Sequence, residues 1–157
     1  MLTEGQLSQI FPLAGQRVGT FRAALNEALP RWQIDHPRRI AAFLAQIGHE
    51  SGQLRYVKEA GDGSKYRGRG LIQITGRNSY QACSRALFGD ERLLAQPQLL
   101  EQPRWACESA AWFWHSRGLN ALADRGEFNR ITRLINGGLN GLDDRLALWA
   151  RAREVLC

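Results

Sequence analysis

Cysteine is scarce in this chain: its 157 residues include three, Cys83, Cys107 and Cys157. An odd count without close spacing excludes a disulfide framework as the source of stability and points to reduced thiols. The histidines, His36, His49 and His115, share no metal-ligand spacing with the cysteines, so no metal and no organic cofactor is implied. No apolar run reaches the length of a membrane span, and stable membrane association is not expected. The opening residues Met1 to Gln6 lack the basic and apolar stretches of a leader, so the expectation is a product made in the cytoplasm. Low-complexity runs and internal repeats are missing too. With 44 % hydrophobic and 23 % charged residues, the composition reads as one globular domain, 1–157, and a monomer.

What the chain does have is positive charge, 21 Lys and Arg against 15 Asp and Glu for a net +6. It is unevenly spread: residues 1–78 hold 11 basic and 6 acidic side chains, net +5, and residues 79–157 hold 10 and 9, net +1. Lys65, Arg67, Arg69 and Arg77 flank a glycine-rich stretch, where an anionic polymer would be attracted. Nucleic acid is one such polymer. However, the basic residues are not interleaved with aromatics and no DNA or RNA recognition motif is present, so nucleic acid is not expected as a partner.

One helix carries an acid in an unexpected place. Asp35 is a candidate N-cap and Pro37 suits a first turn, while Ile40, Phe43, Leu44 and Ile47 repeat with the spacing of a buried helical face. Gly52 is a natural stop. Glu50 continues the apolar stripe three residues after Ile47. Apolar surroundings and the negative end of the helix dipole both disfavour its anion, and a carboxyl held protonated near neutral pH is what a general acid needs. The alternative for Glu50 is an ion pair with one of the many arginines.

Gly52, Gly61, Gly63, Gly68 and Gly70 follow, and Gly70-Leu71-Ile72-Gln73-Ile74-Thr75-Gly76 alternates apolar and polar as a short strand does. On that reading Gln73, Thr75 and Leu71 share one face, offering an amide and a hydroxyl to substrate or water, while Ile72 and Ile74 pack behind. Tight hairpins use the same glycines for conformational reasons alone.

Three stretches in order, Ala41 to Gly52, Gly61-Asp62-Gly63 into Tyr66 to Arg77, and Ile135-Asn136-Gly137-Gly138 with Asp144-Arg145, together resemble glycoside hydrolase family 19, the chitinases and related phage-type endolysins. The resemblance runs from about Thr3 to Val155. It implies a mainly α, lysozyme-like fold with a small glycine-rich β element, and hydrolysis of β-1,4 bonds by a pair of carboxylates. Residue by residue, it implies that Glu50 is the general acid, Glu59 the base, and Thr75 the hydroxyl that helps hold the water. Gln73 and Asn136 match substrate-binding amides, and Arg145 matches an arginine close to the acid. Tyr66, which opens the second motif, and His49, beside Glu50, are placed with the substrate-binding residues, His49 as a hydrogen-bonded supporting group rather than a metal ligand. Such chemistry fits inversion, with acid and base roughly 6.5 to 9.5 Å apart to admit a water.

The chain departs from the family in two places. Many relatives carry a longer helical insertion after the second carboxylate, whereas here Ala60 alone separates Glu59 from Gly61, so the second lobe is cut down and Glu59 could be an exposed loop acid. Relatives commonly have asparagine directly before the tyrosine of Asn78-Ser79-Tyr80, so that substrate amide contact is lost or falls to Asn78. Peptidoglycan carries lactyl and peptide carboxylates and chitin is neutral, so the basic flank favours a wall polymer. The expectation is an endolysin of muramidase type, released to the wall by a holin or secretion apparatus. A chitinase and a non-catalytic saccharide binder are the alternatives.

The rest reads as scaffold. Thr3 and Gln6 form a capping box, a helix runs from about Val18 to Leu29 and stops before Pro30, and another spans Arg77 to Phe88. A helix starting at Pro103 carries Trp105, Trp112, Phe113 and Trp114, which reads as core rather than a sugar platform. Phe128, Ile131, Leu134 and Ile135 mark a helix broken at Gly137-Gly138, and Leu142, Leu146, Trp149 and Leu156 the closing helix. Asp143 and Asp144 suit its positive end.

Overall fold

The structure is a computed structural model describing residues 1–61 and 63–157; Asp62, of the Gly-Asp-Gly motif, lies outside the described residues. Its helices are α1 (Glu4–Ile10), α2 (Arg17–Arg31), α3 (Pro37–Glu50), α4 (Arg77–Phe88), α5 (Arg92–Ala95), α6 (Pro103–Ser116), α7 (Leu119–Asp124), α8 (Phe128–Asn136) and α9 (Leu142–Leu156), with a 3-10 turn over Pro97–Glu101. The fold is mainly α, and among the described residues none of the helices is long and apolar enough to cross a membrane.

α3 is the central helix. Ala41 to Gly48 are all buried, which a solvent-facing amphipathic helix would not allow. Small residues make this possible: a Cβ at Gly48 would lie 2.5 Å from a Phe11 ring carbon and 3.2 Å from Leu148 Cδ1. Phe43 meets Trp114 edge-on at 5.4 Å. α9 runs antiparallel along α3, with Arg145 beside Glu50 at one end and Trp149 and Arg153 sharing a hollow with Arg38 at the other. Trp114 is fully buried, so the tryptophan helix contributes core, as its spacing suggests.

The Thr3 and Gln6 capping box forms as expected. Other boundaries differ from the sequence reading. Pro30 sits inside the last turn of α2 rather than beyond it; the Trp32 amide bonds Ala28 O at 3.3 Å and its indole N–H donates to Glu108 at 2.9 Å, which holds the turn together past the proline. Asp35 is not the cap of α3. His36, extended at φ −144° as a residue before proline must be, occupies that position, and Asp35 pairs with Arg39 at 3.5 Å instead. Leu134 is 48 % exposed rather than core.

The Gly70 to Gly76 strand does not form. The Arg69 amide donates to Ile74 O at 3.1 Å and the Ile74 amide to Arg69 O at 2.9 Å, so the chain reverses within the segment. Leu71, Ile72 and Ile74 are all buried, which explains the apolar positions without a sheet. The β element is reduced to isolated antiparallel bridges, Lys58 with Arg69 and Arg69 with Ile74. The three thiols are free; burial pushes Cys83 up to about 12 and raises Cys107 further, which makes both inert.

Candidate active site

Glu50 is the last residue of α3, and the chain leaves it through a costly turn. Gly52, Gln53 and Leu54 all have positive φ, at 59°, 58° and 70°, a conformation worth roughly 1 to 2 kcal/mol of strain for each non-glycine residue. Local bonds hold it there. Ser51 Oγ donates to Ile47 O at 2.6 Å and accepts from the Leu54 amide at 2.9 Å; the Gln53 amide donates to Gly48 O at 2.7 Å, and Gln53 Oε1 accepts from the Leu13 amide at 2.9 Å. The Leu54 side chain is buried. The turn sends residues 56 to 60 back past Glu50, and a cleft of about 410 Å³ opens between Glu50, Tyr56, Lys58, Glu59, Ala60 and Gln73.

Glu50 is fixed from behind. Arg145 Nη2 donates to its carboxylate at 3.2 Å, Nη1 to Gln46 Oε1 at 2.7 Å, and Nε to Asn140 O at 3.0 Å. Gln46 in turn donates to Thr132 Oγ1 at 2.9 Å, so α3, α8 and α9 meet at this carboxyl. A guanidinium 1 % exposed beside a carboxylate 19 % exposed requires that charge, because an unpaired buried cation is costly.

Glu59 is exposed but anchored. Its amide donates to Gly68 O at 2.9 Å and its carboxylate accepts from the Gly68 amide at 2.8 Å. Gln73 and Thr75 converge on the same glycine: a Cβ there would lie 2.6 Å from Gln73 Oε1, 3.2 Å from the Glu59 carboxyl carbon and 3.2 Å from Thr75 Oγ1. Gln73 is itself held at φ 65°, with Nε2 donating to Gly70 O at 2.9 Å. Thr75 Oγ1 donates to Gln73 O at 3.0 Å, which leaves its lone pairs to accept. The loop is tied to the scaffold at Gly70, where a side chain would strike Ser109 Oγ at 2.7 Å.

Of the residues singled out in the sequence, the structure thus brings Glu50, Glu59, Gln73 and Thr75 together and seats the others around them. Arg145 stands close to Glu50, as the resemblance implies, but it is buried behind that carboxylate and does not reach the cleft as a substrate-binding residue would. Tyr66 donates its hydroxyl to Leu94 O at 2.8 Å and packs 5.3 Å from Tyr80, a scaffold role. His49 bonds Asp144 through Nδ1 at 2.8 Å and covers Gly141, where a Cβ would fall 2.2 Å from the ring; it lines the helix junction rather than the cleft. Asn136 Oδ1 accepts from the Asn140 amide at 3.3 Å, shaping the loop whose carbonyl holds Arg145. Asn78 is exposed in the first turn of α4. Arg69, counted among the basic flank, is 8 % exposed and committed to Glu101 at 2.9 Å and Tyr80 at 3.1 Å.

Tyr56 and Lys58 line the cleft without having been singled out. Gly52 is the available signal for Tyr56, since a Cβ on that left-handed glycine would meet the Tyr56 ring at 2.9 Å.

An acid closing a core helix, facing a second acid clamped on a glycine loop across one open cleft, is the arrangement of a glycoside hydrolase. The chain is 39 % identical over 197 aligned positions to a glycosyl hydrolase family 19 domain-containing protein of Haemophilus influenzae, covering 95 % of this chain and 94 % of that one, and it belongs to glycoside hydrolase family 19. That alignment is longer than the whole of this chain, so the relative holds segments with no counterpart here. An endochitinase of Arabidopsis thaliana is 37 % identical over 64 % of this chain and 40 % of its own length. Among solved structures, chitinase C of Streptomyces griseus superposes with a TM-score of 0.81 at 29 % identity, covering 98 % of this chain and 76 % of that one. A bacterial family 19 chitinase does so with a TM-score of 0.79 at 26 % identity, covering 98 % and 94 %. No protein-family model matches the chain.

Proposed function

We propose that this chitinase-like glycoside hydrolase cleaves β-1,4 bonds of bacterial peptidoglycan as an endolysin of muramidase type, acting on the wall after release by a holin or secretion apparatus. The observation that carries the catalytic part is the single cleft lined by Glu50 and Glu59 together with Gln73. Glu50 delivers a proton to the leaving oxygen. Glu59, with one carboxylate oxygen on the Gly68 amide, uses the other to take a proton from water, and the Thr75 hydroxyl accepts from that same water. Net inversion follows when water attacks from the face opposite the leaving group. Gln73 contributes an amide oxygen to the substrate, and Tyr56, 51 % exposed, a ring for a sugar face.

The wall polymer is favoured over chitin by charge. Lys58 lines the cleft, held only at 4.0 Å from Glu101, and Lys65 and Arg77 are exposed at the two ends of the glycine-rich segment that carries Gln73, a setting that attracts carboxylates and gains nothing from a neutral glycan. The second reading is chitin itself, favoured by the endochitinases among the relatives. The test is digestion of purified peptidoglycan and of chitin oligomers by wild type and Glu50→Gln, with borohydride-reduced ends identified by mass spectrometry. Reduced muramic acid released by wild type alone supports the proposal. Chitin fragments alone replace it with the second reading, and cleavage retained in Glu50→Gln removes Glu50 from its role.

A further inference from the structure

The α3 and α9 pair carries the candidate site at one end. At the other, about 18 Å away along α3 from Arg38 to Glu50, two adjoining hollows share Gly126 and Trp149. One, of about 400 Å³, is lined by Phe128, Arg130 and Arg133, and the other by Arg38 and Arg153.

Trp149 is the floor. Phe128 stacks on it at 4.4 Å and 7°, and the Arg153 guanidinium sits 3.8 Å over its ring. A guanidinium laid on an indole is held in place with its in-plane N–H donors pointing outward, the geometry that receives a carboxylate at two points. The four arginines of the hollows are all exposed. Among the described residues Arg133 and Arg153 make no ion pair, Arg38 donates only to the Asp124 carbonyl at 2.7 Å, and Arg130 lies 3.9 Å from Glu127. Glu127, the acid lining this surface, is engaged by Arg125 at 2.7 Å. With both indole faces covered, the hollow reads charge rather than stacking a sugar.

We infer that this surface is a second, non-catalytic binding site for the stem-peptide carboxylates of peptidoglycan, one that holds the enzyme on its insoluble substrate. The inference rests on the peptidoglycan reading for its ligand, but its geometry is independent of the cleft. It places wall recognition on the catalytic fold itself.

The experiment uses the full chain with Arg133→Gln and Arg153→Gln combined, both exposed and outside the cleft, and checks the fold by circular dichroism. Co-sedimentation with purified peptidoglycan, with the same material after its carboxylates are amidated, and with chitin gives affinity; a soluble oligosaccharide that the wild type cleaves gives turnover. The expected result is an affinity for native peptidoglycan about tenfold weaker than wild type with a shallower salt dependence, no difference on amidated material or chitin, and unchanged turnover of the oligosaccharide. Equal affinity of variant and wild type for native peptidoglycan overturns the inference, and so does a loss that persists on amidated material, which would mean an anion other than a carboxylate. If wild type cleaves only chitin while the variant still loses peptidoglycan binding, the cleft's substrate has been misread and the second site stands.

Discussion

Glu50 and Glu59 face one cleft but are held in opposite ways. Glu50 is fixed by side chains from three helices, through Arg145, Gln46 and Thr132. Glu59 is fixed by the backbone of one glycine, which donates to its carboxylate and accepts from its amide. The first arrangement depends on the whole helical assembly and on a buried charge being matched. The second depends on a glycine being small. The difference is that the position of Glu50 is a property of the fold and that of Glu59 a property of a loop, so substitutions should separate stability from rate according to the side they touch.

The largest expected effect is on the helical side: Glu50→Gln should lower kcat by about 10² to 10⁴, the range of general acid catalysis. It should also lower the melting temperature, because Arg145 loses its counter-charge, and a variant as stable as wild type would show that the ion pair carries little. Next, Arg145→Met should cost about 3 kcal/mol in urea denaturation, since it leaves the Gln46 and Asn140 oxygens and the Glu50 carboxylate without their donor. On the loop side, Gly68→Ala should leave stability nearly unchanged while kcat drops roughly 10- to 100-fold, as the new methyl, 2.6 Å from Gln73 Oε1 and 3.2 Å from the Glu59 carboxyl carbon, displaces the first by about an ångström and the second by a few tenths. A large loss of stability there would mean the loop is part of the core after all.

The smallest effect tests the scaffold far from the cleft. Asp124 joins α7 to α3, and its hydrogen bond and charge pairing with Arg39, with His36 adding to them, hold its carboxyl below the ordinary value. A depressed folded-state value means that the contribution is present above about pH 4 and is lost as pH falls through the folded value. With a third of the side chain exposed, about 0.5 kcal/mol is expected after screening. Asp124→Asn should therefore be less stable at neutral pH by that amount and should show a correspondingly flatter acid limb, which a pH series of melting curves measures.

The two sides also differed in how much could be read beforehand. α4 and α8 were legible because glycines bracket them or break them and their apolar residues recur on one face. Glu50 was legible because it continues such a face. The network behind it was less so: Gln46 falls on the same stripe, and nothing local says that an arginine 99 positions later will reach it. α5 and α7 span four and six residues, too few for a period to appear. The loop misled in another way. Its alternation imitates a strand, while Gln73 at positive φ and the Arg69 and Ile74 pairing make it a tight reversal, an arrangement set by what fits against Gly68 and Ser109 rather than by propensity.

The pair of hydrogen bonds between Glu59 and Gly68 also bears on the length of the loop. It joins Glu59 to Gly68 across the neck of the loop, so the placement of the carboxylate is set at the neck. Such a neck works as a port for insertion. A helical lobe could be spliced in after Ala60 to extend the cleft wall, or removed again, with the Glu59 carboxylate left on the Gly68 amide. The segments that the Haemophilus influenzae relative holds without a counterpart here can then be lost from such a loop without moving Glu59.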